Sequence, residues 1–399
     1  MRVGRITKMP LPAKPLKVLH VVLSLGVGGA EKLVYDMVRR LPSDEYSPSV
    51  CCLQLVGPLG EKLEEQGIPV YFRQRIPGFD WGLIAWLRRI IRRENIDVIH
   101  AHQYTPLFFS VMTALLSPRI NLVYTEHGRL YPERRRFKRY LLNPLLAMRI
   151  DHIVSISDST KQAMARYDNF PARRIQVIQN GVDFANLMPD FDILAKKWSL
   201  GVADHNPIVG TAARLDEIKN IPMMLRAFRL VLEAMPEARL LVAGRGPKEA
   251  DLKKLVAELG ISKEVIFIGL RYDLPEIYRL FDIFLLSSHT EGISITLLEA
   301  MASGIPTVTT AVGGNPEVVL PGETGYLVPA NGEREMAARI LELLRDRGKR
   351  RRFGECGRSR AIERFSFDRM MESYQHLYLG KDQSRFGRDG SRKEGRAHA

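Results

Sequence analysis

The stretch KVLHVVLSLGVGGAEK, residues 17–32, admits two readings. Basic residues precede a short apolar run and small residues follow it, as in a secretory signal. An apolar run that breaks at glycines and passes into the helix-like KLVYDMVRRL is also how a buried first strand enters its helix. Only the second reading continues along the chain. SPSVCCLQL, IPVYFRQ, DVIHAH, INLVYTEHG, DHIVSIS and RIQVIQNGV repeat the pattern through the first half. Continuous apolar strands separated by helical segments predict a parallel sheet covered on both faces.

Strand signals stop over FANLMPDFDILAKKWSLGVADHN, residues 184–206, and then restart. NPIVGTAAR, ARLLVAG, EVIFIG, DIFLLSS, IPTVTTAV and GYLVPA make a second series, and FSFDRMMESYQHLYLG reads as a packed final helix. A chain of 399 residues exceeds what one core usually supports. The division predicted is an N-terminal extension (1–15), a first α/β domain (16–184), a linker (185–206) and a second α/β domain (207–364). A helix packing back on the first domain (365–380) and a basic, disordered tail (381–399) complete it. Two doubly wound domains would face each other across a cleft, with ligands at the carboxyl ends of the strands.

Cys51 and Cys52 are neighbours and Cys356 is remote, so reduced thiols in the cytoplasm are expected, with no metal spacing. No uninterrupted apolar stretch approaches the ~20 residues a membrane span requires. A net charge of +14 calls for a partner or a location. WGLIAWLRRIIRRENI (81–96) and RLYPERRRFKRYLLNPLLAMRI (129–150) interleave arginines with apolar residues. They read either as helices for an anionic membrane surface, on the inner face of the cytoplasmic membrane, or as ordinary helices with a solvated basic face. No helix-turn-helix, zinc-finger or stacking-sheet signature accompanies the charge, so nucleic acid is not an expected partner.

Several residues fall where chemistry would occur. Gly28 and Gly29, in GVGGAE, suit a tight turn or an approaching anion at a helix start. Arg214 and Lys219 follow a strand and are either solvated charges or a clamp for a diphosphate. The strand end Ile268 to Arg271 could read a base through its backbone. His102 and His127 end strands, as structural residues or as cleft residues. In SSHTEGISITLLEAMASG, residues 287–304, Glu291 precedes a helix and Glu299 lies nearly two turns along it, which gives them separate tasks.

These pieces, in this order, resemble the retaining glycosyltransferases of family 4, built on the two-domain GT-B fold. The resemblance covers roughly residues 16–378 and rests on GVGGAE, TEHG, SISDSTK, QNGVD, ARLDEIKN, VAGRGP and VIFIGL. Its most specific part is EGISITLLEAMASGIPTVTTAVGGNPEVV, which joins an E-x7-E signature to a strand and a GGNPE turn. The resemblance implies a nucleoside diphosphate sugar as donor, UDP ahead of GDP with GDP left open, and a carbohydrate or lipid-linked acceptor in cell-envelope or exopolysaccharide synthesis. It places Gly28 and Gly29 near the donor phosphates, Arg214 and Lys219 on the leaving diphosphate, and Glu299 on the ribose hydroxyls. Glu291 would hold the transferred sugar and His127 would stand near the reacting carbon. Gly244, Leu270 and the segment Gly292, Ile293, Ser294, Ile295, Thr296 and Leu297 complete the donor side, with His102 and Gly128 toward the acceptor.

No cofactor and no metal are expected, the two cations taking the place of an ion. Two departures stand out. Ile293 and Ser294 follow Gly292 where an aromatic or leucine and then a glycine or proline are common, and Arg245 replaces an acidic or small residue. The rival readings are a nucleotide-sugar epimerase of the same fold, a phosphorylase, which would need a pyridoxal-binding lysine site not identified here, and a non-catalytic basic protein that binds sugar nucleotides or nucleic acid.

Overall fold

A computed structural model describes residues 14–128, 136–185 and 187–380. The extension up to residue 13, the basic segment 129–135 and the tail 381–399 lie outside the described residues, and so do the expectations that fall on them.

The first half holds seven strands: β1 (Leu16–Ser24), β2 (Tyr46–Leu55), β3 (Val70–Phe72), β4 (Val98–His102), β5 (Asn121–Glu126), β6 (His152–Ser155) and β7 (Ile175–Val177). Their order is β3-β2-β1-β4-β5-β6-β7. The second half holds β8 (Ile208–Ala212), β9 (Arg239–Ala243), β10 (Val265–Gly269), β11 (Ile283–Leu286), β12 (Thr307–Thr310) and β13 (Gly325–Val328), ordered β10-β9-β8-β11-β12-β13. All neighbours are parallel. Every residue of β4, β8, β11 and β12 is buried, as helices on both faces require. In each sheet the strand order reverses beside the first strand, between β1 and β4 and between β8 and β11. That reversal opens a crevice at the carboxyl ends of the strands, the common ligand position in such sheets.

The chain returns to the first half after finishing the second. Val182 N donates to Phe365 O and Phe367 N donates to Val182 O, on either side of Ser366, and the final helix Phe367–Tyr378 lies against β5. There Asn121 Nδ2 donates to Leu377 O at 2.7 Å, and the Tyr374 hydroxyl lies 3.1 Å from Thr125 Oγ1. Segment 185–206 contains the helix Ile193–Ser199, capped by Asp192 and tied to the second half by Lys196, whose ammonium reaches Asp273 at 2.6 Å.

The two basic helices behave differently. In Trp81–Glu94 the apolar residues Leu83, Ile84, Leu87, Ile90 and Ile91 enter the core, leaving an ordinary basic outer face. In Phe137–Arg149 the opposite holds for one stripe: Phe137, Leu141, Leu145 and Met148 are 75%, 58%, 65% and 78% exposed.

Candidate active site

The loop after β11 carries Glu291, and its position is fixed from the second half. Ser287 Oγ donates to the carbonyls of Lys219 and Asn220, both at 2.9 Å, and His289 N donates to Ile218 O. These bonds bind the loop to the segment after β8. In that segment Asp216 accepts from Lys219 N, shaping the short turn Glu217–Lys219, and Asn220 takes a left-handed conformation that ends it. Lys219 Nζ consequently reaches Glu291 Oε1 at 2.5 Å, and Ser288 Oγ donates to the same oxygen at 2.6 Å. Arg214 is 60% exposed at its side chain and donates to Asp216 Oδ2 at 2.6 Å. Both expected diphosphate cations are thus already paired with carboxylates.

Ser294 caps the helix Ile295–Ala302: its hydroxyl accepts from Leu297 N and lies 3.1 Å from Thr296 Oγ1. The departure from the family pattern at Ser294 therefore has a local cause, since a serine satisfies one of the amides a helix start leaves over. The start of this helix favours negative charge. Glu299, further along, is buried and faces elsewhere. Tyr278 donates to its Oε2 at 2.8 Å, and Lys32 Nζ lies 3.7 Å from Oε1. Burial pushes the Glu299 carboxyl above its ordinary range, with Lys32 and Tyr278 opposing the shift. For Lys32 burial works against the charge, but Glu299 and Asp36 outweigh it and the ammonium's pKa ends up raised.

Glycines bring the halves together. A Cβ on Gly292 would stand 2.7 Å from His127 O and press on Ile156. Gly128, at φ +127°, leaves a gap of 3.3 Å between such a Cβ and Gly292 N. The GG of the GGNPE turn packs on the same strip, for a Cβ on Gly313 or Gly314 would overlap the carbonyl oxygen of Glu291 or Gly292. Gly29 sets the glycine loop against Ile295 at the start of the capped helix. Asn180 Nδ2 donates to Ile293 O at 3.0 Å. The glutamate of the GGNPE turn, Glu317, crosses to the first half, where its carboxylate accepts from Asp158 N at 3.1 Å and Ser159 N at 3.0 Å, the first amides of the helix Asp158–Asp168.

His127 follows β5 and lines a small pocket with Ser24, Ala30, Glu31 and Gln103. Its pKa is lowered by burial to about 4, so the ring is neutral. His102, expected toward the acceptor, is 3% exposed and stands behind His127, its Nδ1 lying 2.9 Å from His127 Nε2. It lines the same small pocket as His127. Gly28 is extended and begins the helix Gly29–Arg40, Gly244 turns the chain after β9 at φ +132°, and Leu270 follows β10 at the sheet's edge.

Lys32, Tyr278, Ser288, Asp216 and Glu317 were not foreseen. Lys32 directly follows GVGGAE and could have been suspected. Tyr278 carries no local signal in LPEIY. A D-x-D triplet, not foreseen, stands at Asp190, Phe191 and Asp192, where Asp192 Oδ1 caps a helix by accepting from Ala195 N.

Two parallel sheets that meet by their carboxyl edges, with a cation and a carboxylate paired in the crevice, define an α/β protein of the GT-B class. Residues 27–186 match the family model of glycosyltransferase family 4, and residues 192–360 match that of the group 1 glycosyl transferases. The chain belongs to the family 4 type of glycosyltransferases. It is 28% identical over 307 residues to the N-acetyl-alpha-D-glucosaminyl L-malate synthase of Bacillus anthracis, covering 76% of this chain and 79% of that enzyme. With the UDP-Gal:alpha-D-GlcNAc-diphosphoundecaprenol alpha-1,3-galactosyltransferase of Escherichia coli it shares 22% identity over 378 residues, 91% of this chain and 97% of the other. The crystal structure of Anabaena Alr3699/HepE in complex with UDP-glucose has a TM-score of 0.82 at 23% identity, covering 92% of this chain and 100% of that one. That likeness establishes the fold.

Proposed function

We propose that this glycosyltransferase moves a sugar from a UDP-sugar to a carbohydrate or lipid-linked acceptor, with retention, in cell-envelope or exopolysaccharide synthesis. The observation that carries the reading is the division of labour around the helix Ile295–Ala302. Glu291 is held at its start by Lys219 and Ser288, while Glu299 is held within it by Tyr278 and Lys32. Two carboxylates with separate partners suit two separate parts of one donor. Glu299 accepts the ribose hydroxyls and Glu291 a hydroxyl of the transferred sugar. The diphosphate then lies between them, against the helix start, Lys219 and Arg214.

Cleavage of the bond between sugar and phosphate leaves charge on the diphosphate and positive character on the sugar carbon. Lys219, Arg214 and the helix amides stabilise the first as it develops. Neutral His127 adds no repulsion to the second. The acceptor oxygen attacks from the face the phosphate leaves, and its proton passes to a departing phosphate oxygen. The two cations supply the countercharge this needs, so the reaction proceeds without a metal ion. The preference for UDP draws on the donor named for the Escherichia coli relative and the UDP-glucose of the Anabaena structure. Leu270, after β10, reads the base through its backbone.

Thermal shift against a panel of UDP- and GDP-sugars is the first test, followed by NMR of the product with and without EDTA. A UDP-sugar raises the unfolding midpoint and gives a product of unchanged anomeric configuration in both conditions. An inverted product overturns retention, loss of turnover in EDTA overturns metal independence, and epimerised donor without acceptor favours the epimerase. No shift with any sugar nucleotide sinks the donor assignment.

The exposed stripe Phe137, Leu141, Leu145 and Met148, flanked by exposed Arg136 and Lys138, supports the further reading that the enzyme works at an anionic membrane face. Among the described residues no helix is long and apolar enough to cross a membrane. Flotation with anionic vesicles at low salt retains the protein and releases Leu141→Asp; equal behaviour of the two rejects docking through this stripe.

A further inference from the structure

Four histidines crowd the first half beside the cleft, and the reaction above uses one. His20 lies in β1 opposite His100 of β4, His102 follows two residues on, and His127 comes after β5. His100 is engaged by the Tyr378 hydroxyl at Nδ1 and by Thr125 Oγ1 at Nε2, each at 2.8 Å. The other three form a chain. His20 Nδ1 lies 3.1 Å from His102 Nε2, and His102 Nδ1 lies 2.9 Å from His127 Nε2. The chain ends are His20 Nε2 and His127 Nδ1, which are buried without a hydrogen-bond partner among the described residues.

A neutral imidazole carries one N–H and one bare nitrogen. Each link needs one donor and one acceptor, so a proton fixed on one ring fixes the other two. Either all three rings are protonated on Nε2 or all three on Nδ1. In the first case His127 donates to His102 and its Nδ1 is an acceptor. In the second His127 accepts from His102 and its Nδ1–H is a donor. A free imidazole side chain favours Nε2–H, and the chain adds that preference over three rings. The reverse arrangement only exchanges an unpaired N–H at His20 for an unpaired lone pair.

We propose that His20, His102 and His127 share one tautomer, protonated on Nε2, which makes His127 Nδ1 a fixed acceptor for a hydroxyl of the bound sugar and His102 its positioning residue. The hydroxyl contact rests on the donor reading given above; the shared tautomer does not. The chain is a lock and not a route for protons. Around its inner end stand His100, His102 and Tyr378, with no carboxylate among the described residues to stabilise an added proton, and burial lowers the pKa of His20 to about 3. Nor do His20, His100 and His102 offer a free metal set, although their ligand nitrogens lie within 4.8 Å of one another. Both nitrogens of His100 and of His102 are already hydrogen-bonded, which leaves His20 Nε2 alone.

Long-range proton–nitrogen NMR of the full chain labelled with 15N-histidine at neutral pH reads the tautomers without substrate, each ring being assigned by its own substitution. Nε2–H is expected on all three rings. Mixed tautomers among them, or Nδ1–H on His127, overturn the proposal. His102→Leu removes the partner of His127 and is expected to give His127 a mixture of tautomers. The same variant lowers kcat about tenfold, the loss of one well-placed hydrogen bond, with the donor KM unchanged. His102→Asn, whose amide oxygen can accept from His127 Nε2, restores both. A His127 tautomer or kcat indifferent to His102→Leu refutes positioning, and should that variant not fold, the wild-type spectrum still decides the shared tautomer.

Discussion

Lys32 and Glu299 meet across the two halves of the molecule, ammonium to carboxylate at 3.7 Å, with Tyr278 on the other carboxylate oxygen at 2.8 Å. The carboxylate assigned to the ribose is therefore prearranged by both domains.

Tyr278→Phe removes a buried hydrogen bond and leaves one Glu299 oxygen without its donor. A loss of about 1–3 kcal/mol in unfolding free energy is expected, together with a higher KM for the donor. Chemical denaturation and donor kinetics check both, and an unchanged KM contradicts the ribose role.

Lys32 opposes the upward shift of Glu299, so Lys32→Ala raises that carboxyl further. A greater fraction is then protonated, and UDP affinity falls at a higher pH than in the wild type as acid is added. Calorimetric titration with UDP across mildly acidic pH makes the comparison. Coincident pH profiles rule out the coupling.

Lys219 anchors Glu291 and is assigned to the leaving phosphate, two roles lost together in Lys219→Met. Removing one such stabiliser costs about 10²–10³ in kcat. Glu291→Ala should be similarly impaired, and a variant that transfers sugar normally argues strongly against this site.

Gly292→Ala puts a methyl against His127 O and Ile156. Backbone on one side leaves little room to yield, so a cost of about 1–3 kcal/mol is expected, with activity lost at temperatures where the protein remains folded. Wild-type activity and melting would show that the halves do not approach this closely in solution.

Acid should unfold the protein through its buried histidines. Burial lowers the pKa of His20 to about 3 and of His127 to about 4, against 6.5 for the ordinary group. The unfolded chain binds protons first, so the stability present above pH 6.5 declines as pH falls toward these values. Each histidine contributes at most about 1.4 kcal/mol per pH unit over that interval. Urea midpoints at neutral and mildly acidic pH should diverge less in His20→Leu.

All thirteen strands were legible, because a sheet covered on both faces needs unbroken apolar runs and the chain supplies them. Glu291 and Glu299 stood out in the sequence because the motif that carries them is local, whereas Lys219 and the glycine loop stood out through separate short motifs. What escaped was contact between distant segments, such as Tyr278 with Glu299 or Glu317 with the helix Asp158–Asp168. The two arginine-rich helices read alike because composition does not say which apolar residues find a partner. Only the fold separates Leu87, in the core, from Leu141, on the surface. His20 and His100 were invisible for a related reason: a neutral, buried imidazole occupies a strand much as an apolar residue does.

The join between the halves is written largely in main-chain atoms. Glu317 binds two amides, Asn180 binds a carbonyl, and Gly128 and Gly292 approach backbone to backbone. Main-chain atoms are the same whatever the side chains, so such a join places few demands on the identity of its neighbour. A donor half of this build could be grafted onto an acceptor half with a different pocket, provided that glycines and one carboxylate stay in place. New linkages could then arise by recombination of whole modules instead of by remodelling either one.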